Sequence, residues 1–437
     1  MSYQSWGGTK KTAHKVIPLF WKEDSFPETE RKLALPFGNG RSYGDSCQND
    51  GGVLLDMRKL NRFLSFDRRT GILRCEAGVL LSEILSFAIP QGWFLPVTPG
   101  TKYVTVGGAI ANDVHGKNHH RSGTFGCHVL RFEILRSDNS RILCSPSDNK
   151  DLFSATIGGL GLTGVILWAE IALKPIASPL IRSETIQFGD LSEFFALSEE
   201  SDQDYEYTVS WVDCLGQGKS LGRGLFMRGN HSFTHTIFPE WCHIRKIRNF
   251  PAIPPFSMVN ALTLRAFNTA YYRKQVRRHS EKLVFYDPFF YPLDGIGHWN
   301  RIYGRKGFYQ YQCVIPKDEG EFPIRDLLSE IARSGEGSFL AVLKHFGTIP
   351  SPGLLSFPRR GITLALDFPN KGQKTLNLFE RLDEIVVSSG GAVYPAKDAR
   401  MSGKSFRRFF PGWEKFLKFK DPGLSSDFWR RVTKGEL

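Results

Sequence analysis

The chain has 437 residues, more than one hydrophobic core ordinarily serves, so two domains are expected. Apolar residues make up 41% and charged residues 23%, a globular balance that excludes a disordered chain. A net charge of +13 favours an anionic partner: nucleic acid, a phosphorylated ligand or an anionic membrane face.

Seven cysteines are scattered along the sequence, and none forms a C-x-x-C pair. The odd count argues against a disulfide framework, and the spacing against a zinc ribbon, so a reducing compartment is expected. The start, Met1 to Gly8, has no apolar core of signal-peptide length. No run of about 18 apolar residues occurs, and no transmembrane segment is expected.

Residues 1–35 are polar and show little pattern. Leu33 to Phe37 reads as a strand running into Gly38-Asn-Gly-Arg-Ser-Tyr-Gly-Asp45. Such a loop either cradles a phosphate or is only a tight turn. Gly52 to Asp56 is a short apolar strand. Leu60 to Phe66 and Gly71 to Glu76 read as strands of a meander joined by a turn at 67–71, and Leu80 to Ala88 as an amphipathic helix.

Thr98 to His120 is the densest chemical stretch. It reads as too rich in glycine for a helix interior and too polar for a plain strand. Glycine lets backbone approach a ligand closely, and its N–H groups can line up on an anion. His115, Lys117, His119 and His120 offer protons and charge at the same place, and spaced histidines equally fit a metal.

Strands follow at Val129–Leu135 and Ile142–Ser145, then a helix at Asp148–Thr156. Four glycines between Gly158 and Gly164 lead into a strand from Val165 to Leu173. The first 175 residues thus read as an α+β domain with three glycine-rich loops.

Near residue 180 glycine loops thin out and aromatics rise. Tyr205 to Val212 is strand-like. Residues 243–282 mix aromatic and aliphatic residues with Arg265, Arg273, Lys274, Arg277, Arg278 and Lys282. This basic amphipathic stretch fits either an anionic membrane or the solvated face of an ordinary helix. Phe308 to Ile315 alternates, placing Gln310 and Gln312 on one face. Helices are expected at Ile324–Arg333 and Leu376–Ser388. Strands are expected at Phe339–Phe346, where Lys344 interrupts an apolar run, and at Gly361–Phe368. Ala392 to Arg400 carries a central Lys397 and leads into a basic helical tail. The pattern predicts a second α+β domain with an antiparallel sheet.

Gly40-Arg-Ser-Tyr-Gly-Asp45, Thr105-Val-Gly-Gly108, His115-Gly-Lys-Asn-His-His120, Gly161-Leu-Thr-Gly164, Tyr309-Gln-Tyr-Gln312 and Tyr394-Pro-Ala-Lys-Asp398 occur in the order and at the spacing of one group. In these motifs the chain resembles the flavoproteins related to vanillyl-alcohol oxidase. Within them it is similar to the decaprenylphosphoryl-β-D-ribose 2′-oxidase family, the oxidase half of a 2′-epimerase. The resemblance runs from about Trp6 to the end of the chain.

It implies an FAD-binding domain at 1–178, a substrate-binding domain at 179–391, and a segment at 392–437 that returns to the first domain. FAD would rest on Gly38, Gly40, Arg41, Ser42, Tyr43, Gly44, Asp45 and Ser46. It would run past Gly100, Thr105, Val106, Gly107 and Gly108, with His115, Gly116, Lys117, Asn118, Ile166 and Tyr394 completing its pocket. Tyr43 stands where many relatives carry a histidine that binds flavin covalently, so the implied FAD is noncovalent.

The implied reaction oxidises a secondary alcohol by hydride transfer to flavin N5. Lys397 would stabilise charge on the reduced flavin, and His115, Lys117 and Lys344 are the other candidates for catalysis. A basic lysine must be desolvated or set beside other cations, which Lys344 on its apolar strand satisfies. Tyr43, Gln310, Gln312, Lys344, Thr363 and Ala365 would meet the substrate, and His119 and His120 read as structural. Ala365 replaces a cysteine attacked by covalent nitroaromatic inhibitors in mycobacterial relatives, and Thr363 replaces an asparagine.

The implied partners are a lipid-linked phosphoribose, an NADH-dependent short-chain ketoreductase and an anionic membrane. No nucleic acid or metal is expected. The implied location is cytoplasmic, peripheral at the inner face of the plasma membrane. A soluble sugar, alditol or aldonolactone oxidase is the alternative, and Tyr43 argues against most of those. A nucleic-acid or metal-binding protein is remote, because Cys/His ligand spacing and a recognition motif are both missing.

Overall fold

The structure, a computed structural model, describes residues 3–233 and 247–434. The first four residues of the basic 243–282 stretch, and Cys242, lie outside the described residues.

The N-terminal third builds two sheets. Lys15–Pro18 and Ala34–Phe37 each pair in parallel with Val53–Asp56, whose four residues are buried. A five-stranded antiparallel sheet follows, in the order Phe63–Asp67, Ile72–Glu76, Val165–Ala172, Val129–Leu135 and Arg141–Cys144. Helix Leu81–Ala88 packs Leu81, Ile84, Leu85 and Ala88 inward, the i, i+3, i+4, i+7 stripe its sequence carries.

Trp93–Phe94 with Lys174–Pro175, and Arg248–Asn249 with Ile296–Gly297, make two small two-stranded sheets, and the other strands form one eight-stranded antiparallel sheet. Its order is His279–Phe285, Leu180–Phe188, Gly224–His231, Tyr207–Val212, Val342–Phe346, Gly361–Pro369, Phe308–Pro316 and Ala392–Val393. Helices Phe322–Ser334 and Gln373–Ser388 bury their apolar stripes in its core. The fold is α+β.

The last segment packs back on the first glycine loop. Phe406, Phe416, Phe428 and Trp429 share a core with Leu35, Phe37 and Leu54. The Arg431 guanidinium donates to both carboxylate oxygens of Asp45, at 2.8 and 2.9 Å, and to Asp398 at 2.9 Å. A bidentate pair of this kind fixes direction as well as distance.

Three expectations change. The glycine stretch does hold a helix, Val106–Ala111, capped by the Thr105 hydroxyl, which accepts from the Gly108 N–H at 3.1 Å. Glycine serves close packing there: a Cβ on Gly107 would lie 3.0 Å from that of Ala77. The basic stretch does not stay helical. Helix Ala261–Arg273 ends, and His279–Phe285 becomes a strand. Seven residues gain ladder partners along the Leu180–Phe188 edge, which outweighs helix propensity. The Lys344 strand begins at Val342 rather than Phe339. Phe339 O instead accepts from the Trp211 indole at 2.9 Å.

Candidate active site

Strand alternation brings the site together. Gln310 and Gln312 sit two apart on one strand, Thr363 and Ala365 two apart on the next, and Lys344 on the third. The register sets Gln312 opposite Ala365 and Lys344 opposite Thr363. These five side chains face a cavity of about 570 Å³ shared with the first glycine loop and the 98–117 stretch. The Lys117 carbonyl accepts from the Thr208 N–H at 2.9 Å and holds that stretch against the sheet. The volume and mainly apolar lining are those of a small-molecule or cofactor site.

Most of the expected residues line the cavity: Gly38, Gly40, Arg41, Ser42, Tyr43 and Ser46 from the first loop, then Gly100, Thr105, Gly107, Gly108, His115, Gly116, Lys117, Ile166, Tyr394 and Lys397. Four do not. Gly44 is packed against the Asp398 carbonyl, and Asp45 is engaged by Arg431. Val106 is a core residue with no exposed surface. The Asn118 amide turns away to the Pro96 carbonyl at 2.8 Å. His119 and His120 also lie off the cavity lining.

Three lysines project into this enclosed space, and among the described residues none has a carboxylate within ion-pair distance. Burial pushes Lys117 down to about 8. Burial, with the charges of Lys117 and Lys397, pushes Lys344 down to about 7. Burial pushes Lys397 down to about 7 against the pull of Asp367. An unpaired buried cation is costly, so Lys117 and Lys397, when charged, suit an anionic ligand in the cavity.

The hydrogen bonds around His115 select a proton arrangement. Burial first, then the charge of Lys344, holds this imidazole neutral. The Gln312 amide nitrogen lies 2.9 Å from His115 Nε2 and 3.2 Å from Thr363 Oγ1, and Thr363 donates to the Cys313 carbonyl at 2.8 Å. With the amide donating, Nε2 accepts and the ring proton sits on Nδ1. Nδ1 lies 3.2 Å from Lys344 Nζ, which also donates to the Gly116 carbonyl at 3.1 Å. Every group is satisfied when Lys344 is a neutral amine accepting from Nδ1.

A second network backs Lys397. Its Nζ lies 3.8 Å from the centre of the Tyr43 ring, a cation–π distance. Gln310 donates to Asp367 Oδ1 at 2.7 Å, so this expected substrate ligand is engaged by a buried carboxylate. Burial pushes Asp367 up to about 7. Tyr394 donates to the Asn112 carbonyl at 2.7 Å and stacks on Phe357, with ring centres 4.5 Å apart.

The sequence reading missed the far wall. Trp211, Phe289, Leu293, Asp294 and Trp299 line the cavity. The signal available was the run Tyr286-Asp-Pro-Phe-Phe-Tyr-Pro-Leu-Asp294, dense in proline and aromatics without a period. Asp367 was also missed, although one carboxylate in an apolar strand needs a partner.

Comparison with known proteins decides the lineage. A family described as an FAD binding domain matches residues 28–145. The chain is 37% identical to decaprenylphosphoryl-β-D-ribose oxidase of Mycolicibacterium smegmatis, across 98% of this chain and 96% of the relative. The chain belongs to the decaprenylphosphoryl-β-D-ribose oxidase family. It is an FAD-dependent oxidoreductase.

An uncharacterised protein of Streptomyces coelicolor is 33% identical over 81% of this chain and all of its own length. Mouse L-gulonolactone oxidase is 28% identical over 40% of this chain and 41% of its own length. The donor set fits the family's cofactor: backbone around Gly38, Gly40, Gly107 and Gly108 borders the cavity, and Lys117 and Lys397 can face its negative charge.

Proposed function

We propose that this chain oxidises the 2′-hydroxyl of a polyprenylphosphoryl-β-D-ribose to the 2′-keto compound. The relative of like length acts, by its name, on decaprenylphosphoryl-β-D-ribose, and the likeness spans nearly the whole chain. The observation that carries the chemistry is the buried Lys344 amine 3.2 Å from His115 Nδ1, pushed down to about 7 by burial first. Bound FAD supplies the hydride acceptor, held without a covalent link because Tyr43 offers no histidine. Residues 1–178 and 392–437 would hold it, and residues 179–391 the substrate.

Lys344 takes the hydroxyl proton once its amine turns from His115 Nδ1, and Gln312 and Thr363 hold the His115 tautomer that keeps the amine neutral until then. Lys397 stays protonated and opposes the negative charge that develops on the cofactor. Lys117, Trp211 and the aromatic far wall receive the sugar and the start of the lipid. Ala365 leaves space without a thiol.

Among the described residues no helix is long and apolar enough to cross a membrane. Phe256, Leu262 and Val276 are nonetheless 74, 78 and 93% exposed, amid exposed Arg265, Arg273, Lys274 and Arg277. This surface fits peripheral docking on an anionic cytoplasmic membrane face, where a lipid-linked substrate is presented. The keto product calls for an NADH-dependent short-chain ketoreductase to complete an epimerisation.

The test is anaerobic bleaching of the yellow protein by a synthetic polyprenylphosphoryl-β-D-ribose, with xylitol and a gulonolactone in parallel. Bleaching by the lipid-linked ribose alone is expected. Bleaching by a soluble compound, or by none, overturns the substrate assignment.

A further inference from the structure

Lys344 lies beneath the surface, so a proton it takes from the substrate needs a way out before the next turnover. Behind it stands a group of histidines that the site itself does not use. His119 is 1% exposed, and its ring lies 4.5 Å, centre to centre, from Phe346, whose ring also lies 4.8 Å from that of His115. Among the described residues neither nitrogen of His119 has a hydrogen-bond partner. His120 Nδ1 and His345 Nε2 are buried and likewise without a partner among the described residues.

The remaining nitrogens lead outward. His120 Nε2 lies 2.9 Å from the Tyr205 carbonyl, and His345 Nδ1 lies 3.0 Å from an oxygen of Asp202, whose side chain is 28% exposed. Strand alternation puts Lys344 and Phe346 on one face and His345 on the other, so His119 and His120 must link the two faces.

Four unpartnered buried nitrogens in one place are costly unless water bridges them. We propose that His119, His120 and His345 form a proton exit route from Lys344 to Asp202 at the surface. The proposal rests on the alcohol-oxidase reading above. The substrate O–H bond breaks as an N–H bond forms on Lys344, while the C–H hydride leaves to the cofactor. The ammonium proton then passes through bridging water to one nitrogen of His119. The proton on the other nitrogen leaves through water held at His120 Nδ1 to His345 Nε2, the Nδ1 proton of His345 passes to Asp202, and Asp202 releases it to solvent.

Neutral imidazole, donor at one nitrogen and acceptor at the other, suits such transfer. His119 is kept neutral by burial first, and then by Lys344, His120 and His345, so it does not trap the proton. The charged groups facing the route are accounted for: Lys344 and His115 at the inner end, Arg121 beside His120, and Lys317 acting on Asp202.

His119→Phe keeps the ring packing and removes both nitrogens. Steady-state turnover of the holoenzyme on the synthetic lipid-linked ribose, read with an artificial electron acceptor, should slow at least about tenfold, with FAD retained, single-turnover bleaching little changed and added imidazole restoring turnover. His345→Gln and Asp202→Asn should slow it as well, which keeps the test valid should His119→Phe fail to fold. Unchanged rates in the variants, or losses that imidazole leaves unrestored with an unaltered pH profile, overturn the route and leave the substrate assignment standing. Failure of the wild-type protein to bleach overturns both.

Discussion

Lys344 Nζ lies 3.2 Å from His115 Nδ1, and the Gln312 amide occupies the other face of the same imidazole at 2.9 Å. One ring nitrogen therefore accepts, and the other donates to the single lone pair of the Lys344 amine. An alcohol oxidase needs that lone pair, which becomes free for a hydroxyl proton once the amine turns from the imidazole.

Replacing Lys344 with Met, which keeps the stem and removes the amine, should leave FAD bound. The rate of flavin reduction should fall about 10²- to 10⁴-fold, the usual contribution of a general base. Stopped-flow bleaching at saturating substrate measures it, and a wild-type rate would remove Lys344 from the mechanism.

The pH profile follows from two lysines with opposite duties. Lys344 must be neutral and is pushed down to about 7, so activity rises as pH climbs toward 7. Lys397 must be charged and is also pushed down to about 7, so activity falls as pH climbs past it. Flavin reduction should therefore be bell-shaped around neutrality. Arginine stays protonated, so Lys397→Arg should lose the falling limb, whereas Lys397→Ala should bind FAD and lose turnover.

Tyr43 carries no nucleophilic nitrogen toward the cavity. Acid precipitation should leave the yellow colour in solution. Colour in the pellet would establish a covalent link from some other side chain.

Gly44 is a contact glycine rather than a conformational one: its φ of −100° is open to any residue. A Cβ there would run into the Asp398 carbonyl, beside Lys397. Backbone cannot give way cheaply, so Gly44→Ala should cost about 1–3 kcal/mol or more. Thermal melting with and without added FAD would read both the stability loss and a weakened hold on the cofactor.

The basic apolar surface makes a salt-dependent prediction. Wild-type protein should sediment with anionic liposomes at low salt, and replacing Arg265, Arg273 and Lys274 with Gln should release it, each charge contributing about 1 kcal/mol. Equal binding to neutral liposomes would argue against the electrostatic part.

Much of the site was legible before the fold. Period-two alternation put Gln310 with Gln312 and marked Lys344 as a polar intruder, because strand faces follow from local sequence alone. The 98–120 stretch declared itself by its mixture of glycine, histidine and lysine. Its local form did not: Val106–Ala111 is helical because Thr105 caps it and Ala77 packs on Gly107, and one of those two partners lies far away in sequence.

What the amino-acid order determined by itself was the set of chemical groups, their strand faces and the glycine loops that let backbone approach a phosphate. What only the tertiary structure decided was which groups meet. Lys344 and His115 are separated by 229 positions, and Gln312 and His115 by 197, so their contact depends on sheet register and on how the 98–117 stretch docks. The same packing lowers the lysines, because burial penalises charge wherever no counter-ion follows it inside. It also turns Asn118, Gly44 and Asp45 away from the cavity and raises an aromatic wall that no periodicity announced.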